Sequence, residues 1–308
     1  MKVVITGANG QLGQALQRNV PRQLAGQSLQ LMLCTRHGGD GSHALDLADA
    51  AACRALVREL KPDWVINAAA YTAVDRAEDE PELARAVNAE APAAFAEALQ
   101  ATGGRLLQIS TDFVFNGEQS HPYQPDQPAA PLGTYGLTKA AGEQRALDQL
   151  GSAGSAHVLR TSWVYGPVGR NFLLTMLRLH DERTEIGVVA DQVGCPTSTT
   201  SLAEACWQVL ERRAAGAALP AILHWSDAGA ASWYDFAVAI ADLGVDSGLL
   251  KRCAVVKPLT TAQYPTPAER PPYSLLDCTA SASVLGLEQQ HWRHRLAEVI
   301  RVLTHSPI

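Results

Sequence analysis

Thr6-Gly7-Ala8-Asn9-Gly10-Gln11-Leu12-Gly13 follows directly on the apolar run Val3-Val4-Ile5 and leads into Gln14-Ala15-Leu16. A β-branched run, a glycine turn and an amphipathic stretch, in that order, predict strand, tight turn and helix. Gly7 permits the turn, Gly10 lets the backbone approach a pyrophosphate, and Gly13 lets the helix pack closely on the strand. The helix N-terminus offers unpaired N–H groups, those of Gln11 and Leu12 among them, and the positive end of its dipole. A glycine turn in this context predicts a dinucleotide site.

Outward from the turn, the first 160 residues alternate short apolar runs with amphipathic stretches. Strands are predicted at Lys2–Thr6, Leu29–Cys34, Trp64–Asn67, Arg105–Ile109 and Ala156–Leu159. Helices are predicted at Gln11–Val20, Ala48–Leu60, Pro81–Ala101 and Thr134–Leu150, with Pro62 as a terminator and Pro81 as an early helical residue. Such alternation implies βαβ units and an α/β fold with a doubly wound parallel sheet. The second half is less regular: helices at Asn171–Asp181, Ser201–Arg213 and Ser232–Gly244, and a strand at Glu185–Val189. It reads as a smaller lobe interleaved with the sheet, giving residues 1–160 mainly to the dinucleotide and 161–308 mainly to a substrate. Two proline-rich stretches, Asn116–Pro131 and Pro258–Pro272, read as surface loops or as the borders of a pocket.

Composition narrows the field. The chain has 308 residues, 47% hydrophobic and 18% charged, which suits a buried α/β protein and excludes disorder. A net charge of −6 argues against a nucleic-acid or anionic-membrane binder. The six cysteines lie scattered, without metal or disulfide spacing, and read as reduced structural thiols. No apolar run reaches the ~18 residues that span a bilayer. The strand and glycine turn so near Met1 leave no room for a signal peptide. The expectation is a soluble, cytoplasmic protein.

The second predicted strand ends Cys34-Thr35-Arg36, where an NAD site usually has an acid. A guanidinium there suits a 2′-phosphate, so NADPH is the expected cofactor, with NADH as the alternative. Asp46-Leu47 reads either as a contact to the adenine edge or as an ordinary loop. Ala68-Ala69-Ala70, after Asn67, leave space for a cofactor across the sheet edge.

Tyr135 and Lys139 stand four residues apart at a helix start, so both lie on one face. A nearby ammonium favours the ionised phenol, whose ordinary pKa is about 10. The phenol is then a matched proton donor to an alkoxide forming as hydride arrives, with Lys139 also reaching the nicotinamide ribose. Ser110-Thr111-Asp112 ends a strand, where a hydroxyl can hold a carbonyl oxygen. Glycine turn, strand-end hydroxyl and Tyr/Lys pair together predict a hydride-transfer enzyme.

These residues resemble the extended short-chain dehydrogenases, and more closely the dTDP-4-dehydrorhamnose reductase family. The resemblance rests on Gly7–Gly13, Asn67–Asp75, Ser110–Phe115 and Tyr135–Lys139. It continues in Arg160-Thr161-Ser162-Trp163-Val164-Tyr165, Asp191–Thr197 and Arg270-Pro271-Pro272-Tyr273-Ser274. It implies a Rossmann-type fold with a smaller C-terminal substrate-binding lobe. It further implies reduction of the C4 ketone of dTDP-4-dehydro-β-L-rhamnose. Tyr135 is then the general acid, Lys139 its partner and Thr111 the carbonyl-orienting hydroxyl, while Val74, Asp112 and Trp163 border the deoxysugar. Asn171 and Arg270 are expected at the diphosphate, since a dianion needs charge-assisted donors; for Arg270 an internal salt bridge is the competing expectation. Gln14-Ala15 stand where some members carry an acid for a magnesium ion at a dimer contact, so no such metal is expected and a homodimer stays open. Ser201-Leu202-Ala203 stand where the family usually has Asp-Leu-Ala. Two alternatives remain: action on another nucleotide-linked 4-keto sugar, and a non-catalytic regulatory subunit.

Overall fold

Val3, Val4 and Ile5 are fully buried in β1 (Lys2–Thr6), because helices cover both faces of this central parallel strand. In the computed structural model, which describes residues 1–151 and 154–305, the glycine turn carries β1 into α1 (Gln11–Arg18). There follow β2 (Gln30–Thr35), α2 (Ala50–Leu60), β3 (Trp64–Asn67), α3 (Val74–Asp79), α4 (Pro81–Arg85) and α5 (Ala91–Thr102). Next come β4 (Arg105–Thr111), α6 (Thr134–Leu150), β5 (Ala156–Thr161), α7 (Phe172–Glu182) and β6 (Glu185–Val189). The chain ends with α8 (Thr199–Ala214), β7 (Ile222–His224), α9 (Trp233–Asp246), β8 (Val255–Leu259), α10 (Thr279–Leu285) and α11 (Trp292–His305).

The main sheet runs β7-β5-β4-β3-β1-β2, with the dipeptide His43–Ala44 at the edge beyond β2. All its neighbours are parallel. Strand order reverses between β1 and β3, so the crevice beyond their carboxyl ends is where such sheets bind ligands. Side chains alternate across β1 with period two. Val3 and Ile5 pack with Leu12 and Leu16 of α1 and Cys206 and Trp207 of α8. Val4 faces the layer of Val57, Phe95, Leu99 and Ala146 from α2, α5 and α6. A separate core joins α7, α9 and α11 through Leu173, Phe236, Ile240 and Leu296, with Ile186 and Val188 of β6. Among the described residues, no helix is long and apolar enough to cross a membrane.

Several elements differ from the sequence reading. The helix expected over Pro81–Ala101 is present but not uniform: α4 and α5 are joined without a gap by a π turn at Ala86–Glu90, where the Ala91 N–H reaches back to the Ala86 carbonyl. Pro92 explains this, because it has no N–H to continue the ladder and its ring crowds the preceding turn. The Asn88 carbonyl lies against α6, where a Cβ on Gly142 would come within 2.0 Å of it. The stretch Pro258–Pro272 is not loop throughout: it begins in β8, where Pro258 pairs with Val188 in a two-stranded sheet. An edge position tolerates the missing N–H. β4 and β5 run on to Thr111 and Thr161. α8 starts at Thr199, two residues early, because the Ser198 hydroxyl caps it. β7 escaped notice because three residues carry too little pattern, and α3 because Val-Asp-Arg-Ala-Glu-Asp has no apolar period.

Candidate active site

The turn after β1 has no room for a side chain at Gly7 or Gly13. Gly7 has φ +63°, and a Cβ on it would approach Ala69 Cβ to 2.9 Å. On Gly13 a Cβ would stand 2.2 Å from the Gly7 carbonyl oxygen. Gly10, the N-cap of α1, makes no side-chain cap bond, so the first N–H groups of α1 have no cap from that residue. A glycine cradle ending in a helix terminus uncapped by its own N-cap side chain fits the diphosphate of a dinucleotide. A buried polar relay braces the floor: Thr6 Oγ1 donates to Asn67 Oδ1 (2.6 Å), and Asn67 Nδ2 donates to Gln108 Oε1 (2.8 Å). Thr6 Oγ1 also accepts the Ala69 N–H (3.1 Å), fixing the chain just beyond β3 where Ala68, Ala69 and Ala70 line the crevice.

The crevice is a cleft of about 1080 Å³. Its walls bring together Gly7, Gly10, Gln11 and Leu12 with Thr111, Tyr135 and Lys139. Gly13 sits behind the turn, and Arg36, Asp46 and Leu47 lie off these walls. Arg36 is turned onto Asp46, with Nη2 3.1 Å from Oδ2 and both side chains exposed. The Ala48 N–H, more than Arg36, holds the Asp46 carboxyl below its usual range. Leu47 is buried.

Tyr135 sits in the first turn of α6 and Lys139 one turn on, and both are buried. Burial pushes the Tyr135 phenol up to about 12; the Thr111 hydroxyl pulls the other way and the Asp112 charge adds to the rise. The phenol's own desolvation thus outweighs the lowering expected from Lys139. Lys139 is desolvated as well, down to about 8, and its ammonium donates to the Ile109 carbonyl at 2.6 Å. Phe113 meets the Tyr135 ring edge-on at 5.6 Å. Thr111 Oγ1 accepts the Phe113 N–H (3.2 Å) and donates to Asp112 Oδ1 (3.1 Å). Burial raises Asp112 to about 6, the Ser274 and Thr111 hydroxyls opposing it. Asp112 Oδ2 and Ser110 Oγ have no hydrogen-bond partner among the described residues. Both residues line the cleft, so it keeps polar capacity at the strand end.

Val74 and Trp163 line the same cleft. Trp163 sits at φ +46° and stacks face to face on Trp233, 3.6 Å between centroids and 5° between planes. Gly194 makes that possible, since a Cβ there would lie 2.6 Å from the indole. Two residues expected at the diphosphate have protein partners in this structure. Asn171 is the N-cap of α7: Oδ1 accepts the Leu174 N–H at 3.0 Å, while Nδ2 donates to Gln11 Oε1 and the Gly166 carbonyl, each at 2.9 Å. Its amide is fully engaged, and it stands off the cleft wall. Arg270 lines the cleft but takes up the competing role, clasping Asp75 through Nη1 (2.6 Å) and Nη2 (2.8 Å).

Sequence reasoning missed a buried ion pair behind the catalytic helix. Glu143, one turn beyond Lys139, accepts from Arg160 Nε (3.1 Å) and Nη2 (2.7 Å). Arg160 Nη1 also reaches the Pro125 carbonyl (3.3 Å) and His224 Nε2 (3.5 Å). Burial takes His224 down to about 3, which keeps it neutral as Nδ1 donates to the Tyr123 carbonyl (3.1 Å). The pair ties the proline stretch 116–131 to the sheet. Trp233, Met176, Leu179 and Tyr264 also line the cleft without having been singled out. Trp233, Met176 and Leu179 show only the helical periodicity that core residues share, while Tyr264 falls in the Pro258–Pro272 stretch read as loop or pocket border.

Against known proteins, residues 1–305 match the family model described as RmlD substrate binding domain. A dTDP-4-dehydrorhamnose reductase of Burkholderia thailandensis is 38% identical over 309 residues, covering 98% of this chain and 99% of the relative. The crystal structure of a dTDP-4-dehydrorhamnose reductase from Clostridium acetobutylicum superposes with a TM-score of 0.86 at 36% identity, over 99% of this chain and 100% of the other. That of the Bacillus anthracis enzyme, in complex with NADP, gives 0.83 at 33% identity and 98% of each chain. With glycine turn, strand end and Tyr/Lys helix all inside the matched span, the chain belongs to the RmlD substrate-binding-domain family.

Proposed function

We propose that this chain is an NADPH-dependent reductase that converts the C4 ketone of dTDP-4-dehydro-β-L-rhamnose to the alcohol, giving dTDP-L-rhamnose. One observation carries the reading: Thr111, Tyr135 and Lys139 share a cleft wall with the glycine turn. Gly7, Gly10, Gln11, Leu12 and Gly13 hold the diphosphate of the cofactor, with Ala68, Ala69 and Ala70 beneath it. Bound NADPH supplies hydride to the ketone carbon. Thr111 holds the ketone oxygen and Tyr135 delivers a proton to it. A phenol kept protonated by burial is suited to donate only once negative charge develops on the oxygen it faces. Lys139, the one cation beside it on α6, lowers the cost of the phenolate left behind. Val74, Asp112 and Trp163 border the sugar. Residues 1–160 serve mainly the cofactor and 161–308 mainly the sugar nucleotide, in a cytoplasmic protein whose ligands are small molecules.

The deciding experiment follows NADPH oxidation with enzymatically made dTDP-4-dehydrorhamnose and identifies the product. NADPH binding without consumption of the keto sugar would overturn the reading, and faster turnover of a different nucleotide-linked keto sugar would change the substrate. Turnover is expected to fall as pH rises through about 8, because Lys139 then loses the proton that makes it a cation. A pH–rate profile flat from 7 to 10 would remove Lys139 from this role. Arg36→Ala is expected to weaken NADPH binding roughly tenfold, the size of a charge-assisted hydrogen bond at an exposed site, and NADH binding little. Equal losses for the two, measured by titration, would show that Arg36 does not read the 2′-phosphate.

A further inference from the structure

We propose that Glu78 is a positioning residue for Tyr135, acting by capping the N-terminus of α6 from a neighbouring helix. This rests on the reading of Tyr135 as the proton donor. A helix start leaves N–H groups unpaired, and the residue before it usually supplies the cap. Here that residue is Gly133, which has no side chain to offer. Glu78 of α3 takes its place: Oε1 accepts the Thr134 N–H and Oε2 accepts the Thr134 hydroxyl, each at 2.8 Å. The glycine and the carboxylate are fitted to each other, since a Cβ on Gly133 would lie 2.8 Å from Glu78 Oε1. The negative charge also meets the positive end of the α6 dipole.

Tyr135 is the residue next to Thr134, so the cap sets where the phenol begins. α3 grips it by packing as well: Ala77, beside Glu78, and Val74 belong to one apolar cluster with Phe113 and Tyr135. On its other side α3 is fixed by the Asp75–Arg270 clasp and by the Ala268 N–H donated to Asp75 (3.2 Å). α3 is thereby held to the 258–272 stretch at one point and to the proton donor's helix at another. A carboxylate that touches neither reactant would thus govern how the phenol meets the ketone oxygen.

The test is kinetic, with a built-in rescue. Glu78→Ala is expected to lower kcat roughly tenfold, as small misplacements of a reacting group do, with the Kd of NADPH unchanged. Adding Gly133→Ser to that variant supplies a cap oxygen from the normal position, in the space the carboxylate vacated, and is expected to restore most of kcat. The near-isosteric Glu78→Gln keeps an acceptor for the Thr134 N–H and is expected to lose less than Glu78→Ala, which keeps the question answerable if the alanine variant folds poorly. A kcat for Glu78→Ala within twofold of wild type would overturn the proposal. So would a loss that Gly133→Ser leaves uncorrected, or one matched by an equal loss of NADPH affinity. Full activity in Tyr135→Phe would instead remove the reading beneath it.

Discussion

Replacing Tyr135 with phenylalanine is expected to cut kcat by roughly 10²–10⁴-fold, the usual contribution of a positioned proton donor, while NADPH binds almost as before. The substitution removes one oxygen and keeps the ring, so the edge contact with Phe113 and the start of α6 persist. The Thr111 hydroxyl donates to Asp112 and the Lys139 ammonium to the Ile109 carbonyl, so neither of these neighbours is aimed to replace the phenol's proton. Steady-state kinetics on the keto sugar beside an equilibrium titration with NADPH separates chemistry from binding. Activity close to wild type would mean that the proton comes from elsewhere.

Arg160→Met is expected to destabilise the fold by about 3–5 kcal/mol, the range found when one half of a buried ion pair is deleted. Glu143 would be left charged in a place where the pair is only 3% and 4% exposed. The double substitution Glu143→Met/Arg160→Met is expected to lie within about 1 kcal/mol of wild type or above it, since two apolar side chains need no partner there. Denaturant unfolding of the three proteins reads the difference. Equal losses in the single and double variants would assign the effect to packing over Phe115 and the Pro125 contact, and not to an uncompensated charge.

The parts of this protein that were legible in its sequence are those where the backbone leaves little choice. Gly7 and Gly13 advertise the turn because other side chains cannot fit there, and the β-branched runs mark strands because both their faces are buried. The spacing of Tyr135 and Lys139 survives folding because a helix preserves it. Burial does not follow from spacing: both groups are desolvated far enough to invert the expected order of effects on the phenol. Partners distant in the chain were equally hidden. Arg270 meets Asp75 across 195 positions, and Arg160 meets His224 only because β5 and β7 lie side by side. The same holds for Asn171: an amide before a helix suits an anion or a cap, and its cap bond to Leu174 is visible only in the fold.

The pair of indoles on the cleft wall has an optical consequence. Trp163 and Trp233, face to face at 3.6 Å, are close enough for their excited states to couple, and the expected signature is a paired band in ultraviolet circular dichroism whose sign follows their relative twist. Both rings border the space a ligand would fill, so anything settling there reports itself through that band, and the protein carries its own unlabelled probe of occupancy.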